Sequence, residues 1–223
     1  AKHLGYLPRS AKGSKASVTL TITPTDSPAV ISIPKNTQFQ GEVGGVSYIW
    51  CTQNSHSVNV NANGAYTVSD VTLTQGIPSL FRYTANTGDS DQRFILPNAN
   101  TDTDQLTVTV QTSASDTESS VYTLANDITT INSTSSIYFL EEVEDGRYEI
   151  QFGDNVLGKA VSNGNIVILS SLVCDGNSTN DAKSFSVVSE VGGYSNVKVE
   201  TTSAATGGAP SADIDEIKFN APK

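Results

Sequence analysis

The chain has 223 residues, 37% hydrophobic and 16% charged, enough to bury one sizeable core or two modest ones. Lys and Arg number 13 against 23 Asp and Glu, and the resulting net charge of −10, with a pI near 4.5, excludes a sequence-independent nucleic-acid binder, since phosphate backbones are repelled on average. No apolar run reaches membrane-span length and the start lacks the apolar region of a signal peptide, while Cys51 and Cys174 have no Cys-x-x-Cys partners and read as buried reduced thiols in strands.

The first stretch, residues 1–16, carries the only loose basic set, Lys2, Arg9, Lys12 and Lys15, and reads as a solvated lead-in. Strand chemistry starts at Ser17, where Val18, Leu20 and Ile22 share one face until Pro24 ends the run. Residues 28–39 form a short strand between prolines and then a turn, which suits a sheet edge or a sheet-switching corner. Val46 to Cys51 is the most aromatic strand, and its lone Trp50 reads as core, with an exposed sugar-stacking platform as the alternative. Alternation returns in Val58 to Val60 and Tyr66 to Leu73, separated by the hairpin signal Asn63-Gly64.

Leu80 to Tyr83 and Arg93 to Leu96 flank the acidic loop 86–91. The Asp-x-Asp of Asp89 and Asp91 recurs at Asp102 and Asp104, but without a Gly-spaced twelve-residue loop and a closing bidentate Glu these read as turn acids, not a calcium site. Leu106 to Gln111 is a clean amphipathic strand, and residues 113–120 are polar loop. Past the central stretch, Ile166 to Leu169 and Leu172 to Cys174 are continuous apolar runs that read as fully buried strands, followed by a polar loop over 175–181. Phe185 to Val188 and Val197 to Glu200 close the β region around Gly192-Gly193. Residues 201–210 are small, polar and Gly-rich, the composition of a hinge. Beyond them Ser211 serves as an N-cap, the acids Asp213, Asp215 and Glu216 suit the positive end of a helix, and Ile214 and Ile217 share a face.

Candidate chemistry is sparse. A hydrolytic triad needs a His beside a nucleophile and an orienting acid, and the two histidines are His3, at the chain start, and His56, in a polar loop. Glu141, Glu142, Glu144 and Asp145 could supply a glycosidase pair, but adjacent acids before a turn read as a solvated edge that discourages strand-to-strand aggregation. No catalytic, cofactor-binding or metal-binding residue is assigned, and the protein is not expected to be an enzyme.

The most particular stretch runs from Tyr138 to Leu169. Tyr148, Ile150 and Phe152 alternate with Arg147, Glu149 and Gln151, Asp145-Gly146 opens that strand and Gly153-Asp154-Asn155 closes it. Gly146, Gly153 and Gly158 are the turn residues on which the motif depends. The wording, an aromatic and acids, then Asp-Gly-x-Tyr-Glu-Ile-x-Phe-Gly-Asp-x-x-Leu-Gly and Asn-Gly-Asn-x-Val, resembles the baseplate wedge subunits of T-even-type contractile-tailed phages, within the broader baseplate J-like family. Residues 4–16 look like that family's lead into its first β-domain, and Gly207-Gly208-Ala209-Pro210 with residues 214–222 look like its exit to a further module. Asn155 departs from the family's tighter Gly-Asp-Gly turn, and residues 177–180 from a more Gly-rich loop.

The expected fold is mainly β, with one or two antiparallel β-sandwich-like domains and a short C-terminal helix after a Gly-rich hinge. The expected division is a lead-in at 1–16, a first β region at 17–126, a second with the central motif at 127–200, and a hinge and helix at 201–223, with Gly207, Gly208 and Pro210 as the hinge. A chain that begins at Ala1 and holds no Met reads as a portion of a longer protein. The resemblance implies a structural component of the virion, made in the host cytoplasm, built into the ring around the tail hub and taking part in the rearrangement that triggers sheath contraction. It also implies partnership with further copies of itself, as a homodimer in the wedge, and with other wedge proteins, without cofactor, nucleic acid or membrane. The alternative is a β-sandwich adhesin or carbohydrate-binding module that would expose Trp50, Tyr48 or Tyr83 as stacking platforms and use Asp89 or Asp91 beside a calcium ion.

Overall fold

The computed structural model describes residues 7–220. The protein is mainly β, with antiparallel sheets and, among the described residues, a single short α-helix near the C-terminal end. The strands are β1 (Lys15–Ile22), β2 (Val30–Ile33), β3 (Gln38–Val43), β4 (Val46–Thr52), β5 (His56–Asn59), β6 (Tyr66–Gln75), β7 (Ile77–Thr84), β8 (Phe94–Ile95), β9 (Thr101–Gln111), β10 (Ser119–Leu124), β11 (Ile137–Glu142), β12 (Tyr148–Phe152), β13 (Ile166–Val173), β14 (Phe185–Val187) and β15 (Val197–Thr206), and the helix is α1 (Ile214–Asn220). They divide into two compact units, one of residues 11–78 and 173–210, the other of residues 7–10, 79–172 and 211–220.

The unit of residues 11–78 and 173–210 is sandwich-like. Its six-stranded sheet runs β14-β3-β4-β6-β1-β15, and β2 and β5 form a separate pair. Alternation decides which face is inside: along β1, Ala16, Val18, Leu20 and Ile22 are buried while the residues between them are not. Ile31 and Ile33 of β2 and Val58 of β5 join those residues, Phe39, Trp50, Tyr66 and Leu73 in one core, so the pair covers the sheet. Trp50 is fully buried, edge-on to Phe185 with ring centroids 5.1 Å apart, and Gly41 leaves room for both rings, because a Cβ there would lie 2.8 Å from Trp50. The polar end of this unit is also closed. Ser14 Oγ lies 2.8 Å from Thr179 Oγ1, and the Gln75 side-chain amide donates to Asp175 at 2.7 Å and accepts from its N–H at 2.9 Å.

The other unit is built on one seven-stranded sheet, β7-β13-β9-β10-β11-β12-β8. All its strands contribute to one cluster around Val108, Tyr122, Tyr148, Ile150, Val167 and Leu169, which a single sheet achieves by curling round its own core. The two edge strands consequently meet: the Tyr83 hydroxyl of β7 donates to the Ile95 carbonyl of β8 at 2.7 Å. A chain of edge-to-face rings, Tyr83, Phe94, Phe152 and Tyr122, runs along the inside with centroids 5.4 to 5.5 Å apart, and the exposed Phe81 tilts against Tyr83 at 4.9 Å. One pair in this sheet, β10 with β11, is parallel, which requires the longer connection over 125–136.

Several sequence expectations change. The compact units are not the consecutive stretches 17–126 and 127–200, because β15 returns to pair antiparallel with β1, from Lys15 opposite Thr206 to Ile22 opposite Val197. The same pairing puts residues 201–206 in a strand, so the hinge-like composition shrinks to 207–210. The described part of the lead-in, residues 7–16, is not solvated: Ser10, Ala11, Ser14 and Ala16 are buried, and Arg9 makes a two-pronged ion pair with Glu216 at 2.8 and 3.2 Å. Residues 1–6 and 221–223, with Lys2, His3 and Pro222, lie outside the described residues. Ile166 to Val173 is one strand that buries alternate residues as far as Ser171, not two strands buried on both faces. Asp102 and Asp104 are within β9, with Asp102 buried, so they are strand acids and not turn acids; Asp has too little β-propensity for pattern to reveal this. His56 stands in β5 opposite Ile33, not in a loop. Asp213, whose carboxylate accepts from the Glu216 N–H at 2.7 Å, caps α1 in place of Ser211.

Candidate functional site

The central motif folds as one hairpin followed by a tightly bonded loop. β11 and β12 pair in the register Tyr138 opposite Phe152, Leu140 opposite Ile150 and Glu142 opposite Tyr148. The alternation is the expected one: Tyr148 and Ile150 are buried and Gln151 is exposed. Burial pushes the Tyr148 phenol up to about 12, and its hydroxyl donates to the Pro8 carbonyl at 3.2 Å. At the turn, Asp145 and Gly146 adopt φ of 61° and 69°, and Val143 N–H donates to Arg147 O at 2.7 Å. Consecutive left-handed residues are what Asp-Gly permits and most pairs do not.

The following loop is held by its own short polar side chains. Asp154 accepts from the N–H groups of Leu157 and Val156 at 2.8 and 2.9 Å, and those two bonds, Leu157's first, hold its carboxyl below the usual carboxylate range. Asn155, the departure from Gly, sits at φ 66°, a conformation that Asn tolerates. Its N–H donates to Gly158 O at 2.9 Å and its Oδ1 accepts from Ala160 N–H at 3.0 Å. Gly153 and Gly158 approach so closely that a Cβ on Gly153 would overlap the Gly158 carbonyl and the Leu157 oxygen. Gly158, at φ 87°, also leaves room for Ile137, whose Cδ1 would lie 2.6 Å from a Cβ. Gly158 and Lys159 N–H donate to Asn132 and Ser135 oxygens at 3.1 and 2.8 Å, sewing the loop to residues 132–135. The result is a stiff tip that displays Val156, 77% exposed, and Leu157.

The remaining sequence candidates are scattered. Glu141 accepts from Gln151 at 3.0 Å, and Glu149 pairs with Arg93 at 2.6 Å, a bond that raises the Arg93 pKa. Asp89 accepts from the Asp91 N–H at 3.0 Å, an Asx turn. Among the described residues no group of three or more His, Cys, Asp and Glu is placed to hold a metal ion, and no helix is long and apolar enough to cross a membrane. Trp50 is buried, Tyr48 is half-buried against it, and Tyr83 is half-buried with its hydroxyl engaged, so none is a free stacking platform. Cys51 is buried in β4, where desolvation pushes its thiol up to about 12, and Cys174 lies buried just past β13.

At the expected hinge, Gly207 has φ 82° and open space around it. Gly208 is pinned through both backbone groups by Asn180, at 2.9 and 3.0 Å, and Ala209 bridges Lys12 in both directions. The chain passes from one compact unit to the other after Pro210. What sequence reasoning missed is the exposed edge of β7, where Leu80 and Phe81 are 57% and 40% exposed. Adjacent apolar residues on opposite faces of one strand were the available signal.

No protein-family model matches the chain, and no curated protein matches it.

Proposed function

We propose that the protein is a structural component of a phage tail baseplate wedge, acting through protein-protein interfaces with copies of itself and other wedge proteins, in the ring around the tail hub of the virion. In this reading the work is mechanical and no reacting group is needed. The observation that carries it is the central motif. The residues that resemble the wedge family, 138–169, include the contiguous hairpin and loop in which Gly146, Gly153 and Gly158 each meet a geometric requirement, positive φ or close backbone approach. A stiff loop of that kind suits a part that transmits force. A hinge contribution rests on Gly207, which has open space around it, whereas Gly208 is held on both sides.

The adhesin reading needs an exposed ring beside an acidic loop, and burial of Trp50 removes its first platform. Immunogold labelling of intact and contracted phage particles from the source, with an antibody raised against this chain, tests the proposal. Label at the base of the tail in both states is expected. Label on fibre tips, or on no particle, overturns it and makes glycan binding the next assay.

A further inference from the structure

The four edges of the two large sheets are not treated alike. β8 spans two residues and β14 three, too short to template a new strand, and β15 carries Lys198 and Glu200 as an ion pair at 2.7 Å, the charged decoration that blunts an edge. β7 ends the seven-stranded sheet, is eight residues long and carries no ion pair among the described residues; its Pro78 removes an N–H only near the Ile77 end, before Ser79. Its Thr84 end is occupied, since Gln92 donates to the Thr84 carbonyl at 2.8 Å and Tyr83 is tied to Ile95, which leaves Ser79 to Arg82 open. In that stretch Leu80 and Arg82 share the outward face, and Phe81 lies on the other with Tyr83, its ring neighbour at 4.9 Å. Arg82 is exposed, and it is the one arginine among the described residues without a carboxylate: Arg9, Arg93 and Arg147 pair with Glu216, Glu149 and Asp145.

From this juxtaposition we infer that the Ser79–Arg82 edge of β7 is a docking site for an extended segment of a partner protein. The segment adds as a strand, places an acid opposite Arg82, and sets apolar residues opposite Leu80 and Phe81. Charge complementarity selects this occupant over a second copy. Residues 79–84 contain no acid, so pairing β7 with itself leaves both Arg82 guanidinium groups without a partner. The inference does not depend on the baseplate reading, because it concerns one edge and not the assembly that uses it.

Two labelled ten-residue synthetic peptides test it by fluorescence anisotropy, identical except for Glu or Lys before a central Val-Val pair. The Glu peptide is expected to bind the parent chain at least tenfold more tightly than the Lys peptide, with the gap narrowing as salt is raised. Arg82→Glu is expected to reverse the preference and Leu80→Asp to abolish binding of both; each side chain is exposed, so melting temperatures stay at the parent value. Equal binding of the two peptides to the parent overturns the inference, as does no binding of either at on the order of 1 mM. Self-association that Leu80→Asp abolishes, without peptide binding, assigns the edge to a second copy and overturns it equally.

Discussion

Replacing Gly153 by Ala tests whether the central loop is held by close backbone approach. The added Cβ overlaps the carbonyl carbon and oxygen of Gly158 and the oxygen of Leu157, all backbone atoms that cannot swing aside as a side chain would. Overpacking of this kind costs about 1–3 kcal/mol. Relief requires the two arms of the loop to part, which sacrifices one or two bonds such as Asn155 N–H to Gly158 O, each contributing about 0.5–1.5 kcal/mol. The expected loss is therefore about 2–5 kcal/mol, or about 4–20 °C in melting temperature for a chain of 223 residues. Gly146→Ala is the comparison, because its surroundings are open, with the nearest atom 4.0 Å away, and only its φ of 69° resists a side chain. That strain costs about 1–2 kcal/mol. Thermal melting by circular dichroism, with amide exchange read at residues 132–135 and 153–160, should rank Gly153→Ala as the more damaging. Parent-like melting of Gly153→Ala beside a destabilised Gly146→Ala would refute the steric argument, and unaltered melting and assembly of Gly153→Val would refute the motif's structural role altogether.

Gly158→Ala should be partly rescued by Ile137→Ala, since Ile137 Cδ1 is the side-chain atom the new methyl meets at 2.6 Å; additive losses in a double-mutant cycle would deny that contact. Asp154 has a depressed folded-state pKa, so its contribution is present above the ordinary carboxylate value and is lost as pH falls through the folded value. Protection of the Leu157 and Val156 amides should therefore weaken in acid below about pH 4, and Asp154→Asn should remove the pH dependence, as seen by NMR exchange. Trp50, the single tryptophan, should emit in the blue and resist iodide quenching until the sandwich unit unfolds, and Trp50→Ala should cost about 3–5 kcal/mol. An emission maximum near that of free indole would contradict its burial. Cys51, with its thiol pushed up to about 12, should stay unmodified by a thiol reagent at pH 8 in the folded protein and react on denaturation; rapid reaction of the native chain at Cys51 would show the strand to be open.

What the sequence disclosed and what it withheld divide by the range of the interactions involved. Strands that own their alternation, such as Lys15–Ile22 and Tyr148–Phe152, are legible because each buried residue is two positions from the next. Turns are legible where φ is the constraint, as at Asp145-Gly146. Pairing is not: nothing local tells β1 that its partner begins at Val197, and that pairing alone decides that one compact unit interrupts the other. The buried Asp102 and the Asp213 cap depend on neighbours fixed only after folding, and so does the exposure of Leu80 and Phe81, which in the sequence only flank the acidic loop. The same division applies to the site. The glycines of the central motif can be named from their spacing, but Gly153 matters through Gly158 and Leu157, whereas Gly146 matters through its own φ. A motif can therefore be recognised residue by residue while the reasons for its residues differ, and only contacts across the fold separate a glycine kept for its backbone angle from one kept for the space it leaves.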